Sequence, residues 1–459
     1  MQSDTICALA TPTGGAIGIV RISGEQSLEI LSRVFSKDLR EAKANTTHHG
    51  YIVSPSSGET VDEVLVSVFR SPHSYTGENS AEISCHGSRY ILNNVLELLV
   101  ANGCRIANPG EYTQRAYLNG KLDLSQAEAV ADLIASTNKA THQMAMGQLR
   151  GHFSSELSML RGLLLKLTSL LELELDFSEH EDLEFADRAE LFALAQTIDT
   201  RITSLARSFE TGQAIKHGIP IAIVGKTNAG KSTLLNCLIH DERAIVSDIH
   251  GTTRDTIEDV IDINGVTFRL IDTAGLRNTT DTIEQIGIQR TYAAIEKSRI
   301  ILWLVDAEPT EEETADMMER CRDKSLIIVH TKADLLHDDE RQPFLHNNPT
   351  LRSFPIITIS AKTGHNIDAL EQNIYNAANL PTLTESDVIV SNARHYHSLL
   401  TAHDNIQRVT DGLNNNLSGD LIAEDLRLVL SDLAEITGEG QITSQETLNN
   451  IFSQFCIGK

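Results

Sequence analysis

Residues 219–232 read IPIAIVGKTNAGKS, and the run LLNCLI follows at 234–239. A buried-strand pattern, a glycine-rich loop and a helix-forming run, in this order, are the context that a phosphate-binding loop requires. Glycines let backbone N–H groups approach the phosphates, and the N-terminus of the next helix favours negative charge. We therefore predict a P-loop domain in which Lys231 reaches the β- and γ-phosphates and the Ser232 hydroxyl binds Mg²⁺. This stretch alone leaves GTP and ATP open.

Three later segments favour guanine. DTAG at 272–275 ends the run TFRLI, where its carboxylate can hold the Mg²⁺ shell through water and its glycine N–H can contact the γ-phosphate. TKAD at 331–334 follows LIIVH, and SAK at 360–362 begins with the last residue of IITIS. The two oxygens of Asp334 match the N1–H and exocyclic amine of guanine, whereas adenine would leave a buried carboxylate unpaired. We therefore predict GTP.

Two features near the nucleotide need a separate interpretation. GTPases commonly have NKxD where this chain has TKAD, and a hydroxyl at Thr331 makes only part of an amide's hydrogen bonds, so we expect looser tethering of the base or loop. GTTRD at 251–255 lies where a first switch belongs, and Thr253 is expected to close on Mg²⁺. The segment is equally compatible with a polar turn before a hairpin, IEDVIDI and VTFRLID, joined by Asn264-Gly265.

The predicted secondary-structure pattern changes at three points along the chain, and these changes predict the domain organisation. Short β-rich runs and helical patterns alternate over residues 1–119, as in an α+β domain. Residues 120–215 and 381–459 have a helical period, and residues 216–380 alternate apolar strands with helices, as in a parallel α/β sheet. Because helical sequence lies on both sides of the α/β segment, we predict an all-α helical domain with an inserted α/β P-loop GTPase (Ras-like) domain.

Composition limits the classes of function. The 459 residues contain 38 Lys+Arg against 63 Asp+Glu, a net charge of −25, so a nucleic acid is repelled on average and must use a local basic patch. Six scattered cysteines without a CxxC pair favour free thiols over a disulfide framework or a zinc site. No stretch approaches the roughly 20 apolar residues that span a bilayer, so we expect a cytoplasmic protein.

The motifs together resemble a known family. GKTNAGKS, GTTRD, DTAGLRNTTDTIEQIGIQR, TKAD, SAK and the terminal CIGK resemble the MnmE/TrmE family of tRNA-modification GTPases. AIGIVRISG, YTGENSAEISCHG and PGEYTQRAYLNGKLDLSQAEAV extend the resemblance along essentially the whole chain. It implies a folate-binding N-terminal domain that dimerises, a helical domain and an inserted GTPase domain.

The resemblance also implies how GTP is hydrolysed. Leu276 stands where many GTPases have a water-positioning Gln. The family assigns that role to the Glu of DxxE, here Glu284, which without the family would read as an exposed helix residue. In place of an arginine finger the family uses K⁺, with ligands that match Asn228, Ser247, Ile249 and Thr252. Hydrolysis then depends on the contact of two GTPase domains. The expected Mg²⁺ ligands are Ser232 and Thr253.

The expected nucleotide site is large. Catalytic roles are expected for Glu284, Lys231 and Asn228, with Cys456 as a candidate. The residues that we expect to bind GTP are Gly225, Asn228, Ala229, Gly230, Lys231, Ser232, Thr233, Ser247, Thr252, Thr253, Asp272, Thr273, Ala274, Gly275, Thr331, Lys332, Asp334, Ser360, Ala361 and Lys362.

The tail FCIGK raises the question of a lipid anchor. Prenylation requires two aliphatic residues after the cysteine and usually an upstream polybasic stretch. CIGK has Gly458 and Lys459 in its last two positions, and NNIFSQFCIGK has no other basic residue, so membrane anchoring is disfavoured. In the related proteins the tail reaches the folate site, where Arg21, Glu82, Lys121 and Lys459 match folate contacts. Cys456 is a candidate nucleophile, and a buried inert thiol is an equal alternative.

The implied function is addition of an aminomethyl or carboxymethylaminomethyl group to C5 of the wobble uridine of certain tRNAs. A reduced folate, 5-formyl- or methylene-tetrahydrofolate, would supply the carbon. The homodimer would act with an FAD/NADH-dependent partner, MnmG (GidA), in a heterotetramer. Two alternatives stay open: an Era/Der-like ribosome-assembly GTPase, which would need a KH motif or second GTPase domain that the sequence lacks, and a non-enzymatic interaction protein with a degenerate nucleotide site.

Overall fold

The structure is a computed structural model that describes residues 4–177, 188–240, 259–271, 284–335, 349–381, 387–438, 448, 451–453, 455 and 458. The chain divides into two compact units. The first comprises Met1–Ala135, Ala145–Ala206 and Arg394–Lys459, and the second comprises Ser136–Met144 and Arg207–Ala393. Each unit contains one six-stranded sheet.

The first unit begins with a mixed sheet. Its strands are β1 (Ile6–Leu9), β2 (Ile17–Ser23), β3 (Thr46–Val53), β4 (Thr60–Phe69), β5 (Ser80–His86) and β6 (Arg105–Ile106), in the order β3-β4-β5-β2-β1-β6. All neighbours are antiparallel except β1 and β6. Val64, Val66 and Val68 alternate with exposed or half-buried residues along β4, as in a sheet with one buried face.

Two helices cover the buried face of this sheet. They are α1 (Ser27–Val34) and α2 (Arg89–Ala101), and their side chains Leu31, Leu92 and Leu99 lie in one core with the β4 valines. The predicted α+β N-terminal domain is therefore confirmed.

The remainder of the first unit is helical. The helices are α3 (Glu111–Leu118), α4 (Leu124–Ala135), α5 (Lys139–Leu149), α6 (His152–Phe177), α7 (Arg188–His217), α12 (Ala393–Asn414) and α13 (Gly419–Thr437), of which α5, α7 and α12 continue across the division between the units. Buried leucines follow a three-four spacing along α6, at Leu157, Leu160, Leu164, Leu167 and Leu171. This stripe faces the core, where α6 packs against α13.

A buried ion cluster joins α4 to α12. His395 Nε2 lies 2.6 Å from Glu128 Oε2, and Arg394 donates to both Glu128 oxygens at 2.9 and 3.0 Å. Arg394 also donates to the carbonyls of Glu435 and Ile436 at 2.7 and 3.0 Å, which satisfies the C-terminus of α13. Burial alone would raise the pKa of Glu128, but His395 and Arg394 outweigh it and lower that pKa to about 2.

The second unit is built on a mostly parallel sheet. Its strands are β7 (Ile219–Gly225), β8 (Asp259–Ile263), β9 (Val266–Leu270), β10 (Ile300–Val305), β11 (Ser325–His330) and β12 (Ile356–Thr358), in the order β12-β11-β10-β7-β9-β8. Only β8 is antiparallel to its neighbour. Every residue of β10 is buried, as expected for a parallel strand covered on both faces.

The described residues of this unit also form the helices α8 (Lys231–His240), α9 (Glu284–Lys297), α10 (Glu311–Arg320) and α11 (Ile367–Ala377). The strand–loop–helix order of β7 and α8 confirms the predicted P-loop fold class. Asn264 and Gly265 have φ of 55° and 79° and close the predicted β8–β9 hairpin.

Three further predictions concern the domain limits, the cysteines and membrane-spanning segments. The domain limits 1–119, 120–215, 216–380 and 381–459 stay predictions. Among the described residues the free cysteines are Cys7, Cys85, Cys104, Cys237 and Cys321, and Cys456 lies outside them. No described helix has both the length and the apolar character needed to cross a bilayer.

We predict that Glu128→Ala lowers the free energy of unfolding by about 3 kcal/mol or more, because it leaves the half-buried Arg394 and the buried His395 without the carboxylate that both contact. Chemical denaturation followed by circular dichroism measures the loss. Glu156→Ala is the matched control, since it breaks only the partly exposed 2.9 Å ion pair with Arg201 and should cost about 1 kcal/mol or less. Equal losses in the two variants would contradict the prediction.

The same cluster gives a pH dependence with a defined sign. The pKa of Glu128 is lower in the folded chain than its ordinary value. Its contribution to stability is therefore complete above the unfolded pKa of about 4.3 and is lost as the pH falls towards 2. Wild type should lose more stability than Glu128→Ala between these limits, and parallel curves would contradict the assignment.

Candidate functional site

The parallel strands of the second unit end at one edge of their sheet. β10 pairs in register with β7 and β11, and β11 pairs with β12. Their last residues are Gly225, Val305, His330 and Thr358. Ligands of open α/β sheets bind outside the carboxyl ends of the strands. The predicted phosphate loop, TKAD and SAK all begin at this edge.

The backbone of the phosphate loop is fixed by positive φ angles. Gly225, Asn228 and Gly230 have φ of 155°, 66° and 93°. A Cβ on Gly225 would lie 2.5 Å from the Leu304 carbonyl oxygen on β10, so only glycine fits there. The loop then enters α8 at Lys231, where the first N–H groups of a helix have no partner within it. These groups suit an anionic phosphate.

Lysine side chains hold both ends of the loop. Lys231 donates from Nζ to the carbonyls of Gly225 and Lys226, each at 2.7 Å, which places its ammonium across the loop. Burial lowers the pKa of Lys231. Lys226 pairs with Glu313 at 2.6 Å, and Glu313 completes a capping box with Thr310 at the start of α10. This contact was not predicted from the sequence, although TEEE at 310–313 is a capping-box pattern.

Thr331 tethers the phosphate loop to the predicted base-recognition loop. Its hydroxyl donates to the Ala229 carbonyl at 2.9 Å, and both residues are buried. The contact expected to be loose is a buried hydrogen bond of ordinary length, and the same hydroxyl lies 3.5 Å from the Val305 carbonyl.

The predicted guanine-binding residues lie side by side. Ser360 donates from Oγ to Asp334 Oδ1 at 2.7 Å, and this hydrogen bond lowers the pKa of Asp334. Lys332 has φ of 63° and contacts Asp306 at 2.7 Å. Ala361 is half-buried and Lys362 is exposed. The arrangement keeps the Asp334 carboxylate ionised and oriented, as an acceptor for guanine requires.

The predicted ion ligands are described only in part. Ser232 is half-buried and Thr233 is exposed in the first turn of α8, and Asn228 is exposed in the loop. A hydroxyl and an amide oxygen are donors that suit Mg²⁺ and K⁺, both hard cations. Glu284 is the first residue of α9. The remaining predicted residues, Ser247, Ile249, Thr252, Thr253, Asp272, Thr273, Ala274 and Gly275, lie outside the described part of the chain.

A second cluster of predicted residues lies in the first unit. Arg21 on β2 is opposite Glu82 on β5 and donates to Glu82 Oε1 from Nε at 3.0 Å and from Nη2 at 2.7 Å. Its Nη1 donates to the Gly458 carbonyl at 3.1 Å, so the C-terminal tail reaches this pair. Phe452 and Phe455 are buried upstream in the tail and pack against each other. Cys456 and Lys459 lie outside the described residues.

Aromatic rings complete this cluster. The Arg21 guanidinium lies 5.9 and 5.5 Å from the ring centroids of Tyr75 and Tyr112, and the Tyr112 hydroxyl donates to the Arg21 carbonyl at 2.9 Å. Lys121 donates to the Pro72 carbonyl at 3.0 Å, in the same 71–79 loop that carries Tyr75. Neither tyrosine was predicted from the sequence, because no local pattern reports which rings surround a given arginine.

Comparison with known proteins gives matches over nearly the whole chain. Residues 5–121 match the family model described as the GTP-binding protein TrmE N-terminus, and residues 124–456 match the MnmE helical domain. A tRNA modification GTPase MnmE of Bacteroides thetaiotaomicron is 53% identical over 473 residues, covering 100% of both chains. A protein of the same name from Phocaeicola vulgatus is 52% identical over 498 residues, covering 100% of this chain and 99% of that protein.

We predict that Thr331→Val weakens guanine-nucleotide binding about fivefold to tenfold, because the buried Ala229 carbonyl loses its donor. Titration of a fluorescent GDP analogue measures the effect. Thr331→Ser is the matched control, since it keeps the hydroxyl and should stay close to wild type. If valine and serine behave alike, the hydrogen bond does not hold the loop.

Proposed function

This chain belongs to the MnmE family of tRNA modification GTPases, and on that premise we propose that it is a potassium-activated GTPase whose hydrolysis depends on dimerisation. With an FAD-dependent partner, MnmG (GidA), it adds an aminomethyl or carboxymethylaminomethyl group to C5 of the wobble uridine of certain tRNAs, using a folate one-carbon unit. The full-length match, which includes both non-GTPase segments, favours this function over an Era/Der-like ribosome-assembly GTPase.

The observation that carries the GTPase assignment is the union of the phosphate and base loops. Lys231 spans the phosphate loop, and Thr331 joins that loop to the segment bearing Asp334. A nucleotide that fills both loops would be held at its phosphates by backbone N–H groups and at its base by an ionised carboxylate. Adenine does not match that carboxylate, because its base edge presents an acceptor where guanine presents N1–H.

Helix α9 supports a catalytic role for Glu284. Lys324 donates from Nζ to the carbonyls of Ile295 and Ser298 at 2.5 and 2.7 Å and so caps the C-terminal end of α9. The guanidinium of Arg320 lies 3.5 Å from the ring centroid of Tyr292 on the same helix. The C-terminal end of α9 is therefore anchored. Glu284 is at the N-terminal end, which is the end nearer to DTAG in the sequence.

The charge balance of hydrolysis is part of the proposal. Ser232 and Thr253 would hold Mg²⁺, and Asn228, Ser247, Ile249 and Thr252 would hold K⁺. When bound, these ions supply the positive charge that phosphoryl transfer needs where no arginine finger is available. Asn228, with its left-handed backbone, is the described member of the K⁺ set.

The cluster at Arg21 supports the folate assignment. A half-buried carboxylate at Glu82 suits the N3–H and amino group of a pterin, and arginine suits the carboxylate or carbonyl oxygens of a folate. Tyr75 and Tyr112 add aromatic faces beside these charges. Lys121 and Lys459 complete the proposed set, with Cys456 as a candidate nucleophile from the tail. The acidic chain, at −25, would then meet tRNA through a local basic surface or with its partner.

We predict that K⁺, compared with Na⁺, stimulates GTP turnover, and that turnover per chain falls on dilution. Glu284→Ala should bind GTP as wild type does but lose turnover about 100-fold or more, because the attacking water is no longer oriented. Phosphate release measures turnover, and nucleotide titration measures binding. Glu296→Ala, an exposed residue of the same helix, is the control. Turnover that is independent of both the alkali ion and dilution would refute the proposal.

We predict that 5-formyl-tetrahydrofolate binds wild-type protein, and that Arg21→Ala weakens this binding about tenfold or more through loss of charge-assisted hydrogen bonds. Isothermal calorimetry measures both affinities. Arg33→Ala is the matched control. Among the described residues, the ion-pair partner of Arg33 is Glu29, one turn away on the same helix, and both side chains are exposed. Absence of heat with wild type, together with no competition by related folates, would exclude the folate site.

A further inference from the structure

The β8–β9 hairpin joins GTTRD, the predicted first switch, to DTAG, the predicted γ-phosphate contact (together, the two switch segments). β8 begins at Asp259, shortly after GTTRD, and β9 ends at Leu270, just before DTAG. The two strands pair continuously from Asp259–Leu270 to Ile263–Val266, and Gly265 closes the turn with φ of 79°. The paired strands give each segment a continuous hydrogen-bonded path to the turn, and β9 is also paired with β7 in the sheet.

The turn of this hairpin is bound by the first turn of α5. Ala140 donates its backbone N–H to the Gly265 carbonyl at 3.0 Å. This N–H belongs to the first turn of α5, where helix N–H groups lack partners within the helix. A Cβ on Gly265 would lie 2.9 Å from Lys139 Cβ, so the two backbones approach closely enough to require glycine. The contact is therefore specific to this turn.

Asn138 has two functions in this contact. Its Oδ1 accepts from the Thr141 N–H at 2.8 Å, which caps α5, and its Nδ2 donates to Thr267 Oγ1 on β9 at 2.6 Å. One amide thus fixes both the start of α5 and a strand that leads to a switch. Because the amide has a defined acceptor and donor, rotating it would break both hydrogen bonds.

Apolar packing places the first half of α5 in the second unit. Ala140 is buried in the same core as Ile263 and Val266, and Met144 packs against that core. The second half of α5 is held in the first unit, where Gln148 donates to the Ser125 carbonyl at 2.8 Å and Gln126 donates to the Leu149 carbonyl at 3.0 Å. The two ends of one eleven-residue helix are therefore tied to different parts of the chain.

We propose that Asn138 is a positioning residue that transmits the state of the switch segments to α5 through its hydrogen bond to Thr267. This role rests on the proposed GTP-driven switch, and it adds Asn138 and Thr267 as the residues through which the switch acts on α5. Movement of the hairpin on exchange of GTP for GDP forms or breaks the Asn138–Thr267 hydrogen bond. The backbone amides in the first turn of α5 then become more or less protected against hydrogen exchange.

The test compares amide hydrogen exchange over residues 139–149 in the full chain with GDP and with a non-hydrolysable GTP analogue. Wild type should show a difference of about fivefold between the two states, the size expected for one hydrogen bond. Thr267→Val removes the bond from the hairpin side and leaves the Asn138 cap intact, so it should abolish the difference while GTP affinity stays close to wild type. Asn138→Ala should have the same effect, and the double variant should add nothing.

Gln372→Ala is the matched control. Gln372 on α11 accepts from Asn264 Nδ2 at 3.4 Å, on the other side of the same turn, and its loss should leave the exchange difference unchanged. A difference that persists in Thr267→Val refutes the transmission role, as does a wild type that binds and hydrolyses GTP without any difference. A wild type that fails to bind GTP refutes the proposed function itself, and titration of the same samples separates the two failures.

Discussion

The hydrogen bond from Thr331 to the Ala229 carbonyl is the interaction on which the nucleotide site depends. It joins two loops that are 102 residues apart in the chain and that begin at the ends of different strands. Parallel pairing brings the strand ends to one edge, but pairing alone does not fix the distance between the loops that follow them. This bond directly links the loop that Lys231 crosses to the loop that carries the Ser360-bound carboxylate of Asp334.

The sequence predicted the fold class well because its signals are local. The strand–loop–helix order at 219–240, the Asn-Gly turn and the helical period on either side of the α/β segment each depend on a few neighbouring residues. The strand ends could likewise be predicted to meet at one edge, because the carboxyl edge of a parallel sheet follows from its topology. The pairing of Arg21 with Glu82 also requires a strand register, which a local pattern does not contain.

What the sequence did not predict is the set of contacts between distant segments. Glu128 and His395 are 267 residues apart, and Asn138 and Thr267 are 129 apart. Such pairs depend on how helices and strands pack, and neither a charge run nor a cap pattern names the partner. Thr331 illustrates the point, since its deviation from the common motif was visible in the sequence whereas its acceptor was not. The same is true of Lys226 and Glu313, whose pairing fixes the second residue of the phosphate loop.

Contacts between α7 and α12 hold together the two helices between which the long segment from Arg207 to Ala393 is inserted. His403 on α12 lies 2.6 Å from Asp199 on α7, so the helix from which the chain departs and the helix on which it returns are already neighbours within the first unit. The entropy of closing a loop grows only with the logarithm of its length once its ends are held together. The length of the segment from Arg207 to Ala393 therefore adds little to the entropic cost of holding these two helices side by side.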